Sequence, residues 1–324
     1  MNKHKNSIIY HGRKKKKSFF EGWYFKQVDL SEKYSISLIP GVSITKAETH
    51  AFIQVIFLND LNELSTFNVK YPISSFKTTN NPFSVSIGNN FFSKEKIIID
   101  ISKKDLSLKG EVRFLNLTPI KTSFCSPNIM GFFSYIPKME CNHGIVSMDH
   151  KLEGNLTINE KVLDFNKGKG YIEKDYGTSF PKEYIWIQSN HFSEDKASLF
   201  CSVAKIPFLG MSFRGFICNF VLGEKEFRFA TYNGSRIKKY QIDGNKVFLV
   251  IKKGKYIISI RAEVSESREL FAPKDGLMDN VIKEGLSGTV NVLLIDKKGN
   301  VLFNSKGESS GLELVEKLKK INEK

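Results

Sequence analysis

The segment Gly170–Phe192, which reads GYIEKDYGTSFPKEYIWIQSNHF, concentrates acidic, aromatic and amide side chains that an ordinary core strand does not need. If its first strand is extended, alternation places Tyr171, Glu173 and Asp175 on one face and Lys174 on the other. A carboxyl group beside aromatic rings can donate a proton when the surroundings are apolar. The segment therefore predicts an acid–base or ligand-binding site.

A turn that begins at Tyr176 separates this strand from a second one. Alternation along the second strand predicts that His191 lies on the same face as Ile185 and Ile187. The opposite face would then hold the remaining polar and aromatic side chains, which are Tyr184, Trp186, Gln188, Asn190 and Phe192. This arrangement sets amide groups and an indole beside the acids.

Two further stretches offer ionisable groups. FFEGWYFK at Phe19–Lys26 places Glu21 beside Trp23 on one strand face, where loss of hydration favours a neutral, proton-donating carboxyl. MECNHGIVSMDH supplies His143 and His150, and histidine can act as an acid, a base or an orienting group. Each stretch also has a structural interpretation: an edge-strand glutamate paired with a lysine, and histidines that are satisfied structural residues.

The composition excludes several classes of protein. Of the 324 residues 41% are hydrophobic, with 27 Phe and 11 Tyr, which is ample for packed cores. No apolar stretch approaches the roughly 20 residues of a membrane-spanning helix. The N-terminal stretch lacks the apolar run of a signal peptide, so we expect a cytoplasmic protein.

No motif supports a metal or an organic cofactor. The cysteines at positions 125, 141, 201 and 218 form no C-x-x-C pair and are expected to be free thiols. The six histidines show no H-E-x-x-H spacing, and neither G-x-G-x-x-G nor a P-loop is present. We therefore expect no metal and no cofactor. The absence of G-x-S-x-G disfavours hydrolase chemistry.

Of the net charge of +15, seven basic residues at the N-terminus precede the first acid, Glu21, and the rest of the chain carries +8. A basic tail over residues 1–18 would attract an anionic membrane surface by about 1 kcal/mol per basic residue. It would also attract nucleic acid weakly, and a merely solvated tail is the third interpretation. We expect peripheral membrane contact at most and no specific nucleic-acid partner.

Short runs of alternating apolar and polar residues recur along the whole chain and predict an all-β protein. Hairpin turns are indicated at KKGK, residues 252–255, and at DKKGN, residues 296–300. Only the end of the chain has helical spacing, with Leu312, Val315, Leu318 and Ile321 following a Ser310 N-cap. A second, brief helix is predicted within residues 276–284.

The domain boundary is predicted near residue 160. The stretch from Leu115 to His143 is irregular and contains three prolines, which indicates the crossing between two β units. This division gives an N-terminal β domain over residues 19–160 and a C-terminal β domain over residues 161–324, the latter ending in the predicted helix.

At these motifs the chain resembles the bacterial branch of the tocopherol cyclase family, and more distantly the carotenoid 1,2-hydratases. The resemblance rests on YHG at Tyr10, FFEGWYFK at Phe19, the Gly170–Phe192 segment, LFAPKDGL at Leu270 and the closing GLELV. Together they cover about residues 10 to 316 in the family's order. The resemblance implies two tandem lipocalin-like antiparallel β-barrels, which agrees with the strand pattern.

The resemblance also implies an isomerase that closes a chromanol ring without a cofactor. A proton adds to a prenyl double bond, and a phenol oxygen attacks the tertiary cation. Hydration of an isoprenoid alkene is the related reaction, and a non-catalytic lipocalin-like carrier of a lipid or isoprenoid is the alternative function. The candidate catalytic acids are Asp175, Glu173 and Glu21. The candidate substrate-binding residues are Trp23, Tyr24, Tyr171, Tyr176, Trp186, Gln188, Asn190, His191, His143 and His150.

Overall fold

The computed structural model describes residues 8–15, 17–137, 139–194, 196–208, 210–315 and 321–322. Most of these residues lie in β-strands, and the all-β prediction is confirmed. The helical elements in the described ranges are single 3₁₀ turns: Gly12–Lys14, Ile73–Ser75, Gly131–Tyr135 and Thr231–Asn233. Among these residues no helix is long and apolar enough to cross a membrane.

The chain forms two compact units. The first contains Met1–Met130, Ser134–Phe180 and Leu270–Val281, and the second contains Gly131–Phe133, Pro181–Glu269 and Ile282–Lys324. The main change from one unit to the other thus falls after Phe180, whereas the sequence pattern placed it near residue 160.

The sheet of the first unit is antiparallel, with strands in the order β4-β3-β2-β1-β12-β10-β9-β8-β7-β6-β5, and β11 pairs with β10. Its strands are β1 Phe19–Val28, β2 Ser35–Ile44, β3 Thr49–Leu58, β4 Leu64–Pro72, β5 Phe76–Asn80, β6 Phe83–Ile87, β7 Asn90–Ser93, β8 Lys96–Lys103, β9 Leu106–Leu115, β10 Cys141–Ile158, β11 Lys161–Asp164 and β12 Lys169–Gly177.

The second sheet is also antiparallel, in the order β17-β16-β15-β13-β23-β22-β20-β19-β18-β24, with β14 on β23 and β21 on β22. Its strands are β13 Tyr184–Ser189, β14 His191–Phe192, β15 Ala197–Phe208, β16 Met211–Leu222, β17 Lys225–Ala230, β18 Arg236–Asp243, β19 Lys246–Lys253, β20 Tyr256–Glu263, β21 Arg268–Lys274, β22 Leu277–Asp296, β23 Val301–Val315 and β24 Ile321–Asn322. Both predicted hairpin turns, after β19 and after β22, are confirmed.

Each sheet buries one face in its own apolar core, as the alternating sequence requires. Trp23, Phe25 and Ile172 lie in the first core, and Ile185, Ile187 and Leu312 lie in the second. Neither sheet closes into a barrel through hydrogen bonds between described strands, because β4 and β5 end one path and β17 and β24 end the other. The expected closed barrels are therefore corrected to two open antiparallel sheets.

Both predicted helices are wrong where the structure describes them. Ser310–Val315 belongs to β23, which pairs with β13, so that Leu312 is buried against Ile187. Strand pairing with β13 overrides the helical spacing here. Residues 316–320 lie outside the described ranges. The brief helix predicted within residues 276–284 is instead the beginning of β22.

The LFAPKDGL motif forms a hairpin tip that belongs to the first unit. Gln54 exchanges two 2.9 Å hydrogen bonds with the backbone of Phe271, and the Ser43 hydroxyl donates to Gly276 O at 2.7 Å. Gly276 has φ +86°, and a Cβ there would meet Phe19 N at 2.4 Å. The motif is thus explained by a close backbone approach that requires glycine.

The irregular stretch between Leu115 and Cys141 does not carry the chain from one sheet to the other. It connects β9 with β10, which are neighbours in the sheet of the first unit. The 3₁₀ turn Gly131–Tyr135 interrupts it, and residues 131–133 are the part assigned to the second unit.

Candidate active site

Strand β12 lies in the middle of the first sheet, between β1 and β10, and it presents different chemistry on its two faces. Ile172 and Lys174 lie on the core face, beside Phe25 and Trp23 in register. The register aligns Tyr171 with Lys26, Glu173 with Tyr24 and Asp175 with Gly22, and these side chains occupy the opposite face. The predicted alternation of β12 is therefore confirmed.

The opposite face holds four side chains in contact, here called the histidine cluster: Tyr171, Glu173, Asp175 and His143. The register of β10 places His143 opposite Asp175. His143 Nδ1 lies 2.9 Å from Asp175 Oδ1, and its Nε2 lies 3.5 Å from Glu173 Oε2. The Tyr171 hydroxyl donates to Glu173 Oε2 at 2.5 Å. One imidazole thus joins two carboxylates, and one of these is hydrogen-bonded to a phenol.

The electrostatics of the histidine cluster favour a proton on His143. Burial alone lowers the pKa of its imidazole, but the neighbouring Asp175 and Glu173 carboxylates outweigh burial and raise the pKa to about 9. The Tyr171 phenol has its pKa raised well above 10 by burial and by Glu173, so it stays neutral. At neutral pH the cluster therefore contains an imidazolium held between carboxylates.

Access to the histidine cluster differs from residue to residue. The exposed fraction of the side chain is 6% for Glu173, 13% for His143 and 19% for Asp175. Cys141 lies next to Asp175, with its Sγ 3.6 Å from Oδ1, and burial raises the pKa of this thiol well above its ordinary value. Asp175 is thus the most accessible acid of the cluster, and its thiol neighbour stays protonated.

The same three ionisable side chains have a geometry that a metal ion would accept. One ligand atom each from His143, Glu173 and Asp175 lies within 4.8 Å of the other two. A cation would have to displace the imidazolium proton, because only neutral imidazole is a ligand. Proton and metal would therefore compete for this cluster, and the high pKa of His143 favours the proton at neutral pH.

The core face of β12 carries a second group of side chains, here called the lysine cluster: His11, Glu21, Lys174 and Tyr176. Lys174 forms an ion pair with Glu21, and both side chains are fully buried. The backbone N–H of His11 donates to both Glu21 carboxylate oxygens at 2.9 Å, and the His11 ring stacks on Tyr176 with centroids 4.0 Å apart. The lysine partner expected for Glu21 is confirmed, but the expected edge strand is wrong, because β1 lies between β2 and β12.

Aromatic rings and backbone carbonyls complete the lysine cluster. The Lys174 ammonium lies 5.3 Å from the Trp23 ring centroid and 4.7 Å from that of Tyr176, and it donates to the carbonyl of Ile9. Burial lowers the pKa of Lys174, and the Glu21 carboxylate opposes this shift. Trp23 donates to Ile8 O at 2.7 Å. The segment before β1 therefore seals this cluster from water.

His150 belongs to neither cluster. Its ring is buried, packs 4.7 Å from the Phe114 ring centroid and lies 3.2 Å from Ser147 Oγ. Burial lowers its pKa to about 3, so it is neutral at physiological pH. Gly170 leaves the space it occupies, since a Cβ there would meet His150 Nε2 at 2.3 Å. The structural interpretation made from the sequence is right that His150 is a core histidine, but only its Nδ1 is hydrogen-bonded, and its buried Nε2 has no hydrogen-bond partner in the part of the chain that the structure describes.

The second half of the Gly170–Phe192 segment, from Pro181 onward, lies in the second unit. Trp186 and Gln188 are buried on the face of β13 opposite Ile185 and Ile187, as predicted. The Gln188 amide donates to Asn190 Oδ1 at 3.3 Å. The predicted face of Phe192 is wrong.

Phe192 packs in the core together with Ile185 and Ile187. The strand breaks at Asn190, between β13 and β14, and this break shifts the alternation by one residue. His191 is buried in β14, next to Phe192. Its predicted face, shared with Ile185 and Ile187, is therefore also wrong, because neighbouring residues of a strand point to opposite faces.

Sequence reasoning missed several ionisable residues that the structure brings together, in the lysine cluster and in the second unit. In the second unit, Tyr184 donates to Glu313, which is aligned with Trp186 on one side and with Glu284 on the other. In the first unit, His11 was not predicted as a site residue, although it is the histidine of the YHG motif. A signal for His11 existed in that motif, whereas Glu313 and Glu284 become neighbours only through strand pairing between distant segments.

The comparisons with known proteins agree with the resemblance seen in the sequence. The family described as tocopherol cyclase-like matches residues 116–315, well over half of the chain. The chain belongs to the tocopherol cyclase-like family. Membership supports a cyclase- or hydratase-type activity and leaves the substrate open. No curated protein sequence matches this chain.

Solved structures with the same fold cover nearly the whole chain. CghA aligns with a TM-score of 0.59 at 9% identity, over 92% of this chain and 88% of that chain. A Nitrosomonas europaea protein described as AttH aligns with a TM-score of 0.58 at 12% identity, over 91% and 92%. Kievitone hydratase from Nectria haematococca aligns with a TM-score of 0.52 at 12% identity, over 95% and 94%. These likenesses show the fold.

The family match separates the two clusters of the first unit. All four residues of the histidine cluster lie within residues 116–315. Glu21 and His11 of the lysine cluster lie before the matched part. The matched region thus contains the whole histidine cluster and only Lys174 and Tyr176 of the lysine cluster.

Proposed function

We propose that this protein is a cofactor-free acid–base enzyme that cyclises a prenylated aromatic compound, or hydrates an isoprenoid alkene, at the histidine cluster. The observation that carries the proposal is the contact of His143 with both Asp175 and Glu173 on a partly accessible sheet face. Membership of the tocopherol cyclase-like family supplies the reaction type.

The histidine cluster fits the proton inventory of such a reaction. In the proposed first step Asp175, protonated from the His143 imidazolium, gives a proton to the alkene and leaves a tertiary cation. In the second step the phenol oxygen attacks the cation, or a water molecule does so in hydration. The proton released from that oxygen returns to the carboxylate and imidazole pair. Substrate and product of the cyclisation are isomers, so no cofactor is consumed.

The surroundings proposed for the cation are aromatic. Tyr24 lies on the same sheet face, with its ring centroid 6.5 Å from that of Tyr171. Aromatic faces stabilise a cation where water is excluded. Trp186, Gln188, Asn190 and His191 remain predicted substrate-binding residues of the second unit. Trp23 and Tyr176 are proposed to support the lysine cluster instead of touching substrate, because they lie on the core face of β12.

The direct test is turnover of a prenylated hydroquinone by purified protein. We expect Asp175→Asn and His143→Gln each to lower the rate by about 10²- to 10⁴-fold, the usual contribution of general acid–base catalysis. Glu153→Gln is the matched control, because Glu153 is an exposed carboxylate of β10. No product from the wild type, or an undiminished rate in both cluster variants, would overturn the proposal.

A non-catalytic carrier of a lipid or isoprenoid is the second candidate, and the observation that favours it is the lipocalin-like fold shared with the AttH protein. A carrier would bind the prenylated compound without converting it, and its affinity would not change in Asp175→Asn.

In both functions the basic residues 13–17 are proposed to aid contact with an anionic membrane. Binding to phosphatidylserine vesicles that persists without these residues would contradict that contact.

A further inference from the structure

The second unit contains a concave pocket that shares no residue with the histidine cluster. Its volume is about 310 Å³, and it is lined by residues 226–229 of β17 and residues 253–256 at the β19–β20 turn. Strand β17 is an edge of its sheet, so the pocket lies where the described sheet stays open. This volume is at the lower end of the range for small-molecule sites, which begins at roughly 300 Å³.

The charge of the pocket is predominantly positive. Arg228, Lys253 and Lys255 line it, and Glu226 is its single lining acid among the described residues. The Arg228 guanidinium binds Glu226 at 2.5 Å and Asn219 Oδ1 at 3.3 Å, so the arginine is compensated and fixed in place. The two lysines then leave an excess of two positive charges on the pocket lining.

Lys253 is the best-placed of these cations. Its ammonium donates one hydrogen bond to Arg228 O at 2.9 Å, which holds it over the pocket. An ammonium carries three donors, and this bond uses one of them. Burial, followed by repulsion from Arg228, lowers the pKa of Lys253. The Glu226 carboxylate opposes this shift in part, and a ligand anion would raise the pKa further because it supplies a second opposite charge.

The apolar part of the pocket is aromatic. The rings of Phe227 and Tyr256 meet edge to face, with centroids 5.2 Å apart, and both side chains pack against the core of the second unit. The Lys255 ammonium lies 5.2 Å from the Tyr256 ring centroid. Cations beside aromatic rings match a ligand with one charged end and one flat apolar end.

We propose that this pocket binds a small aromatic carboxylate. The carboxylate contacts Lys253 and Lys255, and the aromatic ring of the ligand packs on Phe227 and Tyr256. A bare inorganic anion would leave the aromatic wall without a partner, and a neutral aromatic ligand would leave the positive charge uncompensated. The site is independent of the proposed enzymatic reaction, since none of its residues belongs to the first unit.

Isothermal titration calorimetry of the full chain tests the site with three probes: 3-phenylpropionate, its neutral analogue 3-phenylpropanol, and inorganic phosphate. We expect 3-phenylpropionate to bind most tightly. Lys253→Gln should weaken it by about tenfold or more, which is the usual worth of a hydrogen bond to a charged group. Lys252→Gln is the matched control, because Lys252 is exposed on the opposite face of the same strand.

The proposal is overturned if 3-phenylpropionate does not bind, if the alcohol or phosphate binds equally well, or if Lys252→Gln weakens binding as much as Lys253→Gln. Should Lys253→Gln unfold, Lys255→Gln replaces it, because Lys255 is exposed and its substitution leaves the core intact. Unchanged affinity in Lys255→Gln together with Lys252→Gln would then contradict the assignment.

Discussion

Both faces of β12 bring a glutamate, a histidine and a tyrosine together with further charged groups, but the charges are balanced differently on the two faces. On the core face, Glu21 and Lys174 neutralise each other with both side chains fully buried. On the other face, His143 bridges Asp175 and Glu173, and Asp175 keeps 19% of its side chain exposed. The difference shows that a buried charge becomes structural when an opposite charge and hydrogen bonds together satisfy it, as Lys174 and the His11 N–H do for Glu21. It becomes a chemical candidate when a proton is shared and access remains.

The largest expected effect breaks the core face. Lys174→Met would leave the Glu21 carboxylate buried without its counter-charge, and we expect the free energy of unfolding to fall by about 3–5 kcal/mol. Urea denaturation measures this, with Lys151→Met as the exposed control from β10, for which we expect a change within about 0.5 kcal/mol. A loss below about 1 kcal/mol in Lys174→Met would show that the two faces are not energetically different.

A smaller effect concerns the pH dependence given by the histidine cluster. The pKa of His143 is raised to about 9 in the folded protein. The ordinary histidine value of 6.5 applies to the unfolded chain. Its contribution to stability is therefore fully present below about pH 6.5 and is lost as the pH rises through about 9. The shift corresponds to about 3 kcal/mol.

This contribution is isolated by measuring unfolding free energies of the wild type and of His143→Gln from pH 6 to pH 10. The difference between the two proteins should shrink as the pH rises, because only the wild type loses the imidazolium. Other titrating groups cancel in the difference. A gap that stays constant over this range would contradict a protonated His143.

The smallest effect distinguishes the two histidines of β10. His150 is neutral and buried, so His150→Leu should cost only about 1 kcal/mol for the lost contact with Ser147. The rate with the prenylated hydroquinone should stay at the wild-type value, since His150 touches neither cluster. Denaturation and the turnover assay check the two statements, and a tenfold fall in rate would place His150 in the reaction.

Local alternation predicted much of this arrangement from the sequence. The faces of β12 and the joint placement of Glu21 with Trp23 follow from a period of two residues. The pairing of His143 with Asp175 does not follow, because it depends on the register between β10 and β12, which contains bulges after Ile145. The break at Asn190 likewise displaced Phe192 from its predicted face.

The C-terminal error has a different physical cause. Leu312 and Val315 fit the i, i+3 spacing of a helix. Leu312 and Leu314 also fit the two-residue period of a strand, with Glu313 between them. Pairing with β13 decides between the two patterns, and it involves residues more than a hundred positions away. Sequence periodicity alone cannot contain that information.

The most direct test of the central claim is the titration of the His143 imidazole by ¹H–¹⁵N NMR. We expect His143 to titrate near pH 9 in the wild type, because two carboxylates stabilise its protonated form. We expect Asp175→Asn to move the titration midpoint to lower pH. A midpoint at or below about 6.5, the ordinary histidine value, that does not move in Asp175→Asn would contradict it.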